Sequence, residues 1–470
     1  MTRDDAGTSD LGDSTPILLR PPPVDSFIFV TGSITAVLLG NFTLRFSTGL
    51  TGALLLFYLT DLPKFDPDVV AVSAFTAGVL GALYFAAELI LSPFFGMAAD
   101  RFGTHRLMQP GPIMGGVAVI ATALTTSVPL LGGLRFLEGA AAAASVPAAL
   151  GYIAIATSRS QALRGRVVAR FEVATLGGVG IGSAAAGFLY SAAGPTAFYL
   201  NAVIYGITLL ILRYGVEDLP EHVPAAPGEE TVPAALFHLG RYREVLRSRP
   251  VWLLAPTWIA LNALLGSWGT QALFQLVQEP SDRFADQLLM QGFEPWQAGL
   301  VLGVGLLVLF SGLLYWGNRF ARQRRTTIIG IGLAGGGVFV AAVLAVNHSS
   351  SLPIWFLAGL LGIAAAGLFV LAGATPAAVG FLSDVSEGYP GRRGVIMGLY
   401  SVFLAVGQII GSVVAGVAAE WGGIDGLLIA SGGLLIVALI PLGQLRAAEH
   451  HMPVHPAAAT ERLDSGESLS

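Results

Sequence analysis

The sequence contains no cysteine, a single lysine (Lys64), and a charged fraction of only 12% across its 470 residues. The lack of cysteine excludes disulfides, thiol nucleophiles and thiolate metal ligands. Average soluble chains carry roughly twice this share of charged residues, so this composition does not suit a surface in water. The net charge of −5 is small and gives no sign of a nucleic-acid partner. The seven histidines have no metal-ligand spacing, so we predict neither a metal nor another cofactor.

Apolar residues, in contrast, make up 54% of the chain and are concentrated in long runs. A helix needs about 20 mostly apolar residues to cross the hydrocarbon core of a bilayer. Twelve runs of this kind predict an all-α integral membrane protein with twelve transmembrane helices. The runs cover residues 34–59, 69–97, 108–127, 130–157, 166–193, 195–214, 251–277, 296–317, 326–346, 352–383, 394–420 and 424–445.

Basic residues are distributed unequally between the loops that connect these runs. If the N-terminus is in the cytoplasm, the outer loops carry only Lys64 and Arg283, and the inner loops carry many arginines. Positively charged loops remain on the cytoplasmic side, so this distribution predicts a multi-pass protein of a bacterial-type inner (cell) membrane with both termini cytoplasmic. The inner-loop arginines are Arg101, Arg106, Arg159, Arg164, Arg166, Arg213, Arg241, Arg243, Arg247, Arg249, Arg319, Arg322, Arg324, Arg325, Arg392 and Arg393.

Polar stretches at both ends and in the middle predict the domain organisation. Residues 1–26 and 446–470 are expected to be disordered cytoplasmic tails around helical bundles at 27–214 and 251–445. Residues 215–250 are expected to be a cytoplasmic linker, and its end, from Ala234 to Arg249, has an apolar face bordered by arginines. Such an amphipathic helix is expected to lie on the inner leaflet, so membrane lipid is a predicted partner.

The two halves of the chain resemble each other at a spacing of 229 residues. SVPAALGYI in the fourth run aligns with ATPAAVGFL in the tenth, which matches Pro147 with Pro376, and each proline can weaken its helix. At the same spacing GSAAAG in the fifth run matches GSVVAG in the eleventh, and Gly194 matches Gly423. Chance similarity would not hold one register over three runs, so we predict two pseudo-symmetric bundles of six helices. Transporters with such repeats hold their site between the two bundles.

The loop after the second run reads GMAADRFGTHR and resembles the loop signature of the major facilitator superfamily. The resemblance lies in Gly96, Asp100, Arg101 and Gly103, with Arg106 following in place of a fuller basic cluster. It implies that this loop gates the conformational change, because Asp100 can accept hydrogen bonds at a helix N-terminus while the inner side is closed. The alternative is a plain positively charged anchor on the cytoplasmic side.

The fourth run, RFLEGAAAAASVPAA, resembles the fourth-helix signature of the same superfamily at Arg135 and Gly139, with Glu138 where glutamine is commoner. In drug–proton antiporters of the superfamily this arginine is linked to proton coupling, so the resemblance implies that role for Arg135. The fifth run departs from the antiporter pattern, since Ser183 stands in the place of a proline. The resemblance covers nearly the whole chain and implies the twelve-helix major facilitator fold.

Ionisable side chains inside membrane spans are costly, so they are functional candidates. The resemblance places the first and fourth helices at the central cavity, where we expect Glu138 to be flanked by Arg45 and Arg135 and to take part in proton coupling. The alternative is a fixed ion pair that joins the two helices. Glu88 in the second run is the other candidate proton carrier, and it is expected to pair with Arg45 or with an arginine of the following loop.

Polar residues of the first and seventh runs are candidates for a substrate cavity. Asn41 and Arg45 lie one turn apart in the first run, and Trp258 and Asn262 lie one turn apart in the seventh. A wall of tryptophan and amide groups suits a mainly apolar substrate with a few hydrogen-bonding groups. For Trp258 and Asn262, packing between helices is the alternative.

These observations predict a secondary active transporter and not an enzyme. The loops are too short for a catalytic site, and the sequence has no phosphate-binding Gly-Lys-Ser/Thr segment. We expect a monomer that exports amphipathic compounds, with protons as the coupling ion and a small molecule as the substrate. Two alternatives stay open: uptake of a nutrient or metabolite by the same fold, and a non-transporting membrane sensor or assembly factor.

Overall fold

The computed structural model describes residues 24–158, 160–218, 249–317, 319, 323–387 and 393–450, and it contains helices and no strand within these ranges. The predicted tails before residue 24 and after residue 450, and most of the predicted linker with its amphipathic helix, lie outside them. The first half contains α1 (Val24–Phe65), α2 (Ala74–Phe102), α3 (Thr104–Leu107), α4 (Pro110–Ala123), α5 (Val128–Ala156), α6 (Gln161–Ala193) and α7 (Ala197–Gly215). The second half contains α8 (Arg249–Val277), α9 (Pro295–Gly317), α10 (Arg325–Asn347), α11 (Ile354–Leu371), α12 (Ala374–Glu387), α13 (Arg393–Leu439) and α14 (Leu442–His450).

Eight helical stretches of the described chain are long and apolar enough to cross a membrane. Two of them, Leu163–Gly215 with 53 residues and Ser401–Ala447 with 47 residues, are long enough to cross twice. Each reverses at a glycine in the left-handed region, with φ of 54° at Gly194 and 60° at Gly423, a conformation that side chains with a Cβ rarely adopt. Together with the short α4 and the more polar α8, these stretches account for all twelve predicted crossings.

The two halves repeat the same helix pairings. In the first half α1 packs along α6 and α7, α2 packs along α5, and α4 packs along α5 and α7. In the second half α8 packs along α13, α9 along α11, and α10 along α11 and α13. Matching glycines allow the closest pairings: a Cβ on Gly182 would overlap the carbonyl oxygen of Phe46, and a Cβ on Gly411 would overlap that of Ala263. Such small residues let helix backbones approach closely inside a membrane.

The tenth predicted span is the least regular crossing. It is divided into α11 and α12 at Ala372 and Gly373. Pro376 has no N–H to donate to the carbonyl oxygen of Ala372 four residues earlier, so the regular helix does not continue through this point. The matching Pro147 lies inside α5, which runs unbroken from Val128 to Ala156. The two prolines therefore occupy equivalent places but interrupt only one of the two helices.

The short helix α14 continues the chain past residue 446, where a disordered tail was expected, and ends at His450. The carboxylate of Glu449 accepts hydrogen bonds from the backbone N–H groups of Arg325 at 2.7 Å and of Thr326 at 3.3 Å. It also accepts one from the hydroxyl group of Thr326. The first N–H groups of a helix have no partner within the helix, so Glu449 caps α10 and fastens α14 to it.

Candidate transport site

An ion pair joins α1 to α2 within the first half. Nη2 of Arg45 lies 3.3 Å from Oε1 of Glu88, and Nη1 donates a hydrogen bond of 3.4 Å to the hydroxyl group of Tyr84. The side chain of Glu88 is 26% exposed and that of Arg45 is 11% exposed, so the carboxylate is the more accessible member. Of the two partners predicted for Glu88, the structure pairs it with Arg45.

A second ion pair lies within α5, where Nη1 of Arg135 donates to Oε2 of Glu138 three residues later. The side chain of Arg135 is 10% exposed and that of Glu138 only 1%. The other carboxylate oxygen, Oε1, is buried and has no hydrogen-bond partner among the described residues. Arg135 points towards α1, since a Cβ on Gly52 would lie 3.9 Å from its Nη2. An incompletely bonded buried carboxylate is costly, which makes this pair a functional candidate.

Tyr84 of α2 lies between the two ion pairs. Its hydroxyl group accepts the hydrogen bond from Arg45, and its ring faces the guanidinium of Arg135, with 4.9 Å between Cζ and the ring centroid. Gly139 of α5 allows this approach, because a Cβ there would overlap the backbone carbonyl oxygen of Tyr84. Sequence reasoning missed Tyr84, although its place one turn before Glu88 puts the two side chains on one face of α2.

The predicted cluster is therefore arranged differently from the expectation. We expected Glu138 to be flanked by Arg45 and Arg135. In the structure Arg45 pairs with Glu88, and Arg135 pairs with Glu138. The reason is that α2 packs along α5 and contributes both a carboxylate for Arg45 and the ring of Tyr84. Because Arg135 and Glu138 both belong to α5, their ion pair does not by itself join the first and fourth membrane spans.

One face of α2 follows the boundary between the two halves of the protein. Gly81 on this face is in close contact with Thr270 of α8 and Ser412 of α13. Glu88 lies seven residues further along α2, and positions seven apart in a helix share a face. Glu88 therefore lies on the face of α2 that meets the second half at Gly81, and its carboxylate is partly exposed. We call the space beside this carboxylate the gap.

The matching face of α6 shows the same change from contact to open space. A Cβ on Gly180 would lie 3.0 Å from the ring of Phe310 of α9, so the halves touch at this level. One turn earlier, a Cβ on Gly177 would meet no atom of another described part of the chain within 4 Å. Val173, seven residues before Gly180, is 68% exposed. We infer that the stretch of α6 around Gly177 borders the same gap.

The two halves contact each other at one end of the helices. Residues 66–73, which connect α1 and α2, lie at this end. We call this contact the outer seam, after the predicted orientation. Nε2 of Gln271 donates to the carbonyl oxygen of Ala74 at 2.9 Å, and the backbone N of Trp296 donates to Oγ of Ser191 at 3.0 Å. The glycines of the outer seam that let the backbones meet are Gly78, Gly187, Gly299 and Gly416.

Three of the four residues predicted for the substrate cavity are engaged in helix packing. Asn41 is buried and donates a 2.8 Å hydrogen bond to Oγ1 of Thr175 of α6. Trp258 and Asn262 are each 2% exposed, and Asn262 donates to the carbonyl oxygen of Trp258 at 2.9 Å. In this structure the side chains of these three residues are buried between helices, and their role at the substrate cavity stays a prediction. Arg45 alone remains beside the gap.

The predicted gating loop has the backbone that its glycines allow. Gly103 ends α2 with φ of 92°, and its N–H donates to the carbonyl oxygen of Ala99 at 3.0 Å. Gly96 lies on α2 opposite Pro147 of α5, since a Cβ on Gly96 would lie 4.0 Å from Cβ of Pro147. Arg101 is exposed, and so is Arg106. The side chain of Asp100 lies outside the described part of the chain, so its hydrogen bonds stay a prediction.

His105 stands where the superfamily signature usually has a basic residue, and it is buried instead of exposed. Its Nε2 lies 3.1 Å from the carbonyl oxygen of Leu212 in the last turns of α7. This contact joins the loop after α2 to α7, so His105 packs inside the protein instead of facing the cytoplasmic side. Within the described residues, no three acidic or histidine side chains converge as metal ligands.

Comparison with known proteins agrees with this architecture. The family model of the Major Facilitator Superfamily matches residues 37–367, which include both ion pairs. Multidrug resistance protein 2 of Bacillus subtilis (strain 168) is 23% identical over 367 residues, which cover 76% of this chain and 82% of that protein. The crystal structure of the nucleoside transporter NupG superposes with a TM-score of 0.62 at 15% identity, covering 88% of this chain and 100% of that chain.

A second solved structure is a bacterial homologue of the human lysosomal transporter Spinster in an inward-facing, unoccupied conformation. It superposes with a TM-score of 0.61 at 14% identity and covers 90% of this chain and 98% of that chain. These likenesses and the family match confirm the predicted fold. The family match also confirms the prediction of a transporter instead of an enzyme. The chain belongs to the Major Facilitator Superfamily and is a multi-pass membrane transporter.

Proposed function

We propose that this transporter exports amphipathic small molecules in exchange for protons, by alternating access. The observation that carries the proposal is the presence of two ion pairs in the first half, the partly exposed Arg45–Glu88 pair beside the gap and the buried Arg135–Glu138 pair. Charged side chains at such depth are costly and are kept where ions or protons move. The two halves provide alternating access, because they can rock about a site that lies between them.

Glu88 is the carboxylate that exchanges protons with the gap in this conformation. It is 26% exposed, whereas Glu138 is 1% exposed and is sealed from the gap. Protonation removes the charge of Glu88 and breaks its salt bridge with Arg45, so the contact between α1 and α2 changes with each proton. Glu138 keeps its salt bridge in this state, and its unpartnered oxygen offers a place for a proton once the halves rearrange.

The predicted orientation assigns a role to the outer seam. With both termini in the cytoplasm of a bacterial-type inner membrane, the seam closes the outer side and the gap opens inwards, which is the state in which an exporter takes up its substrate. The loop after α2 then acts as the inner gate in the opposite state. Its residues in this role are Gly96, Asp100, Arg101, Gly103 and Arg106.

The walls of the gap support an amphipathic substrate. Apolar side chains such as Val173 border it on α6, and the carboxylate of Glu88 faces it from α2. An apolar wall with a few polar groups suits a ligand that has an apolar body and one polar or cationic group. Similarity to a protein named for multidrug resistance favours export of such compounds. Because one chain supplies both halves, the lipid-embedded monomer is the transporting unit.

The test is proton-driven transport of a cationic dye by the purified protein in liposomes. An imposed proton gradient should drive ethidium across the membrane, and the ionophore that collapses the gradient should stop it. Glu88→Gln should lose the gradient-driven part, because the amide cannot be ionised. Asp286→Asn is the control, since Asp286 is 71% exposed at the opposite end of the helices. Full gradient-driven transport by Glu88→Gln would refute the assignment of the proton to Glu88.

Gene deletion in cells and transport in liposomes distinguish the two alternatives from an exporter. An uptake transporter predicts that deletion lowers the cellular content of a nutrient, whereas an exporter predicts that deletion raises the content of the dye. A sensor or assembly factor predicts no flux of any tested compound in liposomes. The resemblance to the nucleoside transporter concerns the fold, so it does not favour uptake.

A further inference from the structure

We propose that Tyr84 is a positioning residue that couples the two ion pairs, by holding Arg45 when Glu88 becomes neutral. The inference rests on the proposed proton exchange at Glu88. Tyr84 is 4% exposed and touches one guanidinium with its hydroxyl group and the other with its ring. Within the described residues, it is the side chain shown in contact with both arginines.

The argument begins with the partners of Arg45. Its guanidinium is hydrogen-bonded to Glu88 and to Tyr84, and its Nε has no hydrogen-bond partner among the residues that the structure describes. When Glu88 takes up a proton, the guanidinium loses its hydrogen-bonded counter-ion. Glu172 of α6 is a second carboxylate that interacts electrostatically with Arg45, but the phenol oxygen is the remaining hydrogen-bond acceptor shown for the guanidinium. A buried charge that keeps a hydrogen bond is far less costly than one with none. The hydroxyl group of Tyr84 therefore makes protonation of Glu88 easier.

The ring of Tyr84 carries the effect to the other ion pair. Arg135 lies over the face of this ring, where a cation is attracted to the π electrons. A shift of Arg45 towards the phenol oxygen brings a second positive charge to the same ring, which weakens the hold on Arg135. The backbone of Tyr84 packs directly against Gly139 of α5, which keeps the ring beside Arg135 of the same helix. Proton uptake at Glu88 therefore changes the interaction of Arg135 with Tyr84, and with it the Arg135–Glu138 ion pair.

Tyr84→Phe tests the hydroxyl group while the ring is retained. In proteoliposomes, the midpoint of the pH dependence of gradient-driven dye transport should move to more acidic pH by about one unit, which corresponds to a tenfold weaker proton affinity. Dye affinity should stay unchanged. Tyr84→Leu, which also loses the ring, should transport dye without moving protons. The control is Tyr58→Phe, which removes a tyrosine hydroxyl group at the outer end that donates a hydrogen bond to the carbonyl oxygen of Thr125.

A thermal double-mutant cycle provides a second readout that does not depend on transport. Glu88→Gln mimics the protonated carboxyl group, so Tyr84→Phe should lower the unfolding temperature more in the Glu88→Gln background than in the wild type. An unchanged pH midpoint together with additive unfolding temperatures would overturn the role of Tyr84. Wild-type transport that ignores the proton gradient would overturn the proposed function instead, and with it the coupling role.

Discussion

The outer seam predicts how the protein responds to one added methyl group. In Gly187→Ala the new Cβ would lie 2.9 Å from Cα of Gly299, and in Gly78→Ala it would lie 3.2 Å from Cα of Gly416. Carbon atoms ordinarily approach to roughly 3.5–4.0 Å, so each variant overpacks the seam. Overpacking typically costs about 1–3 kcal/mol, and only the conformation with a closed seam bears this cost. The balance should therefore shift about 5- to 150-fold towards the outward-open state.

Because the chain has no cysteine, a single introduced thiol can report this shift. Gly177→Cys places the thiol beside the gap, where a Cβ meets no atom of another described helix within 4 Å. A membrane-impermeant maleimide added from the outer side should label it slowly in the otherwise wild-type protein and faster, in proportion to the population shift, with Gly78→Ala or Gly187→Ala. Gly269→Ala on α8 is the matched control, since a Cβ there also meets no atom within 4 Å. Labelling of a folded Gly78→Ala protein at the rate of the Gly269→Ala control would refute the seam as the outer closure.

Four further variants address other parts of the structure. Arg135→Ala should abolish proton-driven transport while the purified protein stays folded and monodisperse, and normal flux in this variant would discard its role in coupling. Asp100→Asn should slow turnover by weakening the inner gate and leave substrate affinity nearly unchanged, which separate measurements of binding and flux can check. Asp425→Asn should cost about 1–3 kcal/mol of stability, because its carboxylate lies 2.8 Å from Nε2 of His348, and thermal unfolding should show the loss. Asp286→Asn should have almost no effect on unfolding, since Asp286 is 71% exposed and lies 3.6 Å from the same ring.

The features that repeat along the sequence were predictable, because they depend on local backbone requirements. Gly194 and Gly423 match at the repeat spacing, and both take positive φ at the turn between two spans. The pairing of Glu88 with Arg45 was one of two options, since a buried carboxylate needs a cation and the first and second helices are neighbours in the chain. The prolines show the limit of this reasoning, because Pro376 follows a break at Ala372–Gly373 while α5 continues through Pro147.

The remaining features depend on which faces meet in three dimensions, and sequence spacing does not give that information. Tyr84 reads as an ordinary apolar position of α2 until the helix is placed between Arg45 and Arg135. Asn41 reads as a cavity residue, but α6 packs along α1 and its Thr175 accepts the hydrogen bond. Glu449 reads as part of a polar tail, and only the fold brings it to the start of α10.

The central claim is that a small molecule crosses this protein in exchange for protons at the ion pairs of the first half. The most direct measurement is the internal pH of proteoliposomes while a panel of amphipathic compounds is added to one side. A transported compound should move the internal pH with the wild-type protein and leave it unchanged with Glu88→Gln. Substrate flux that leaves the internal pH constant in the wild type would contradict the account.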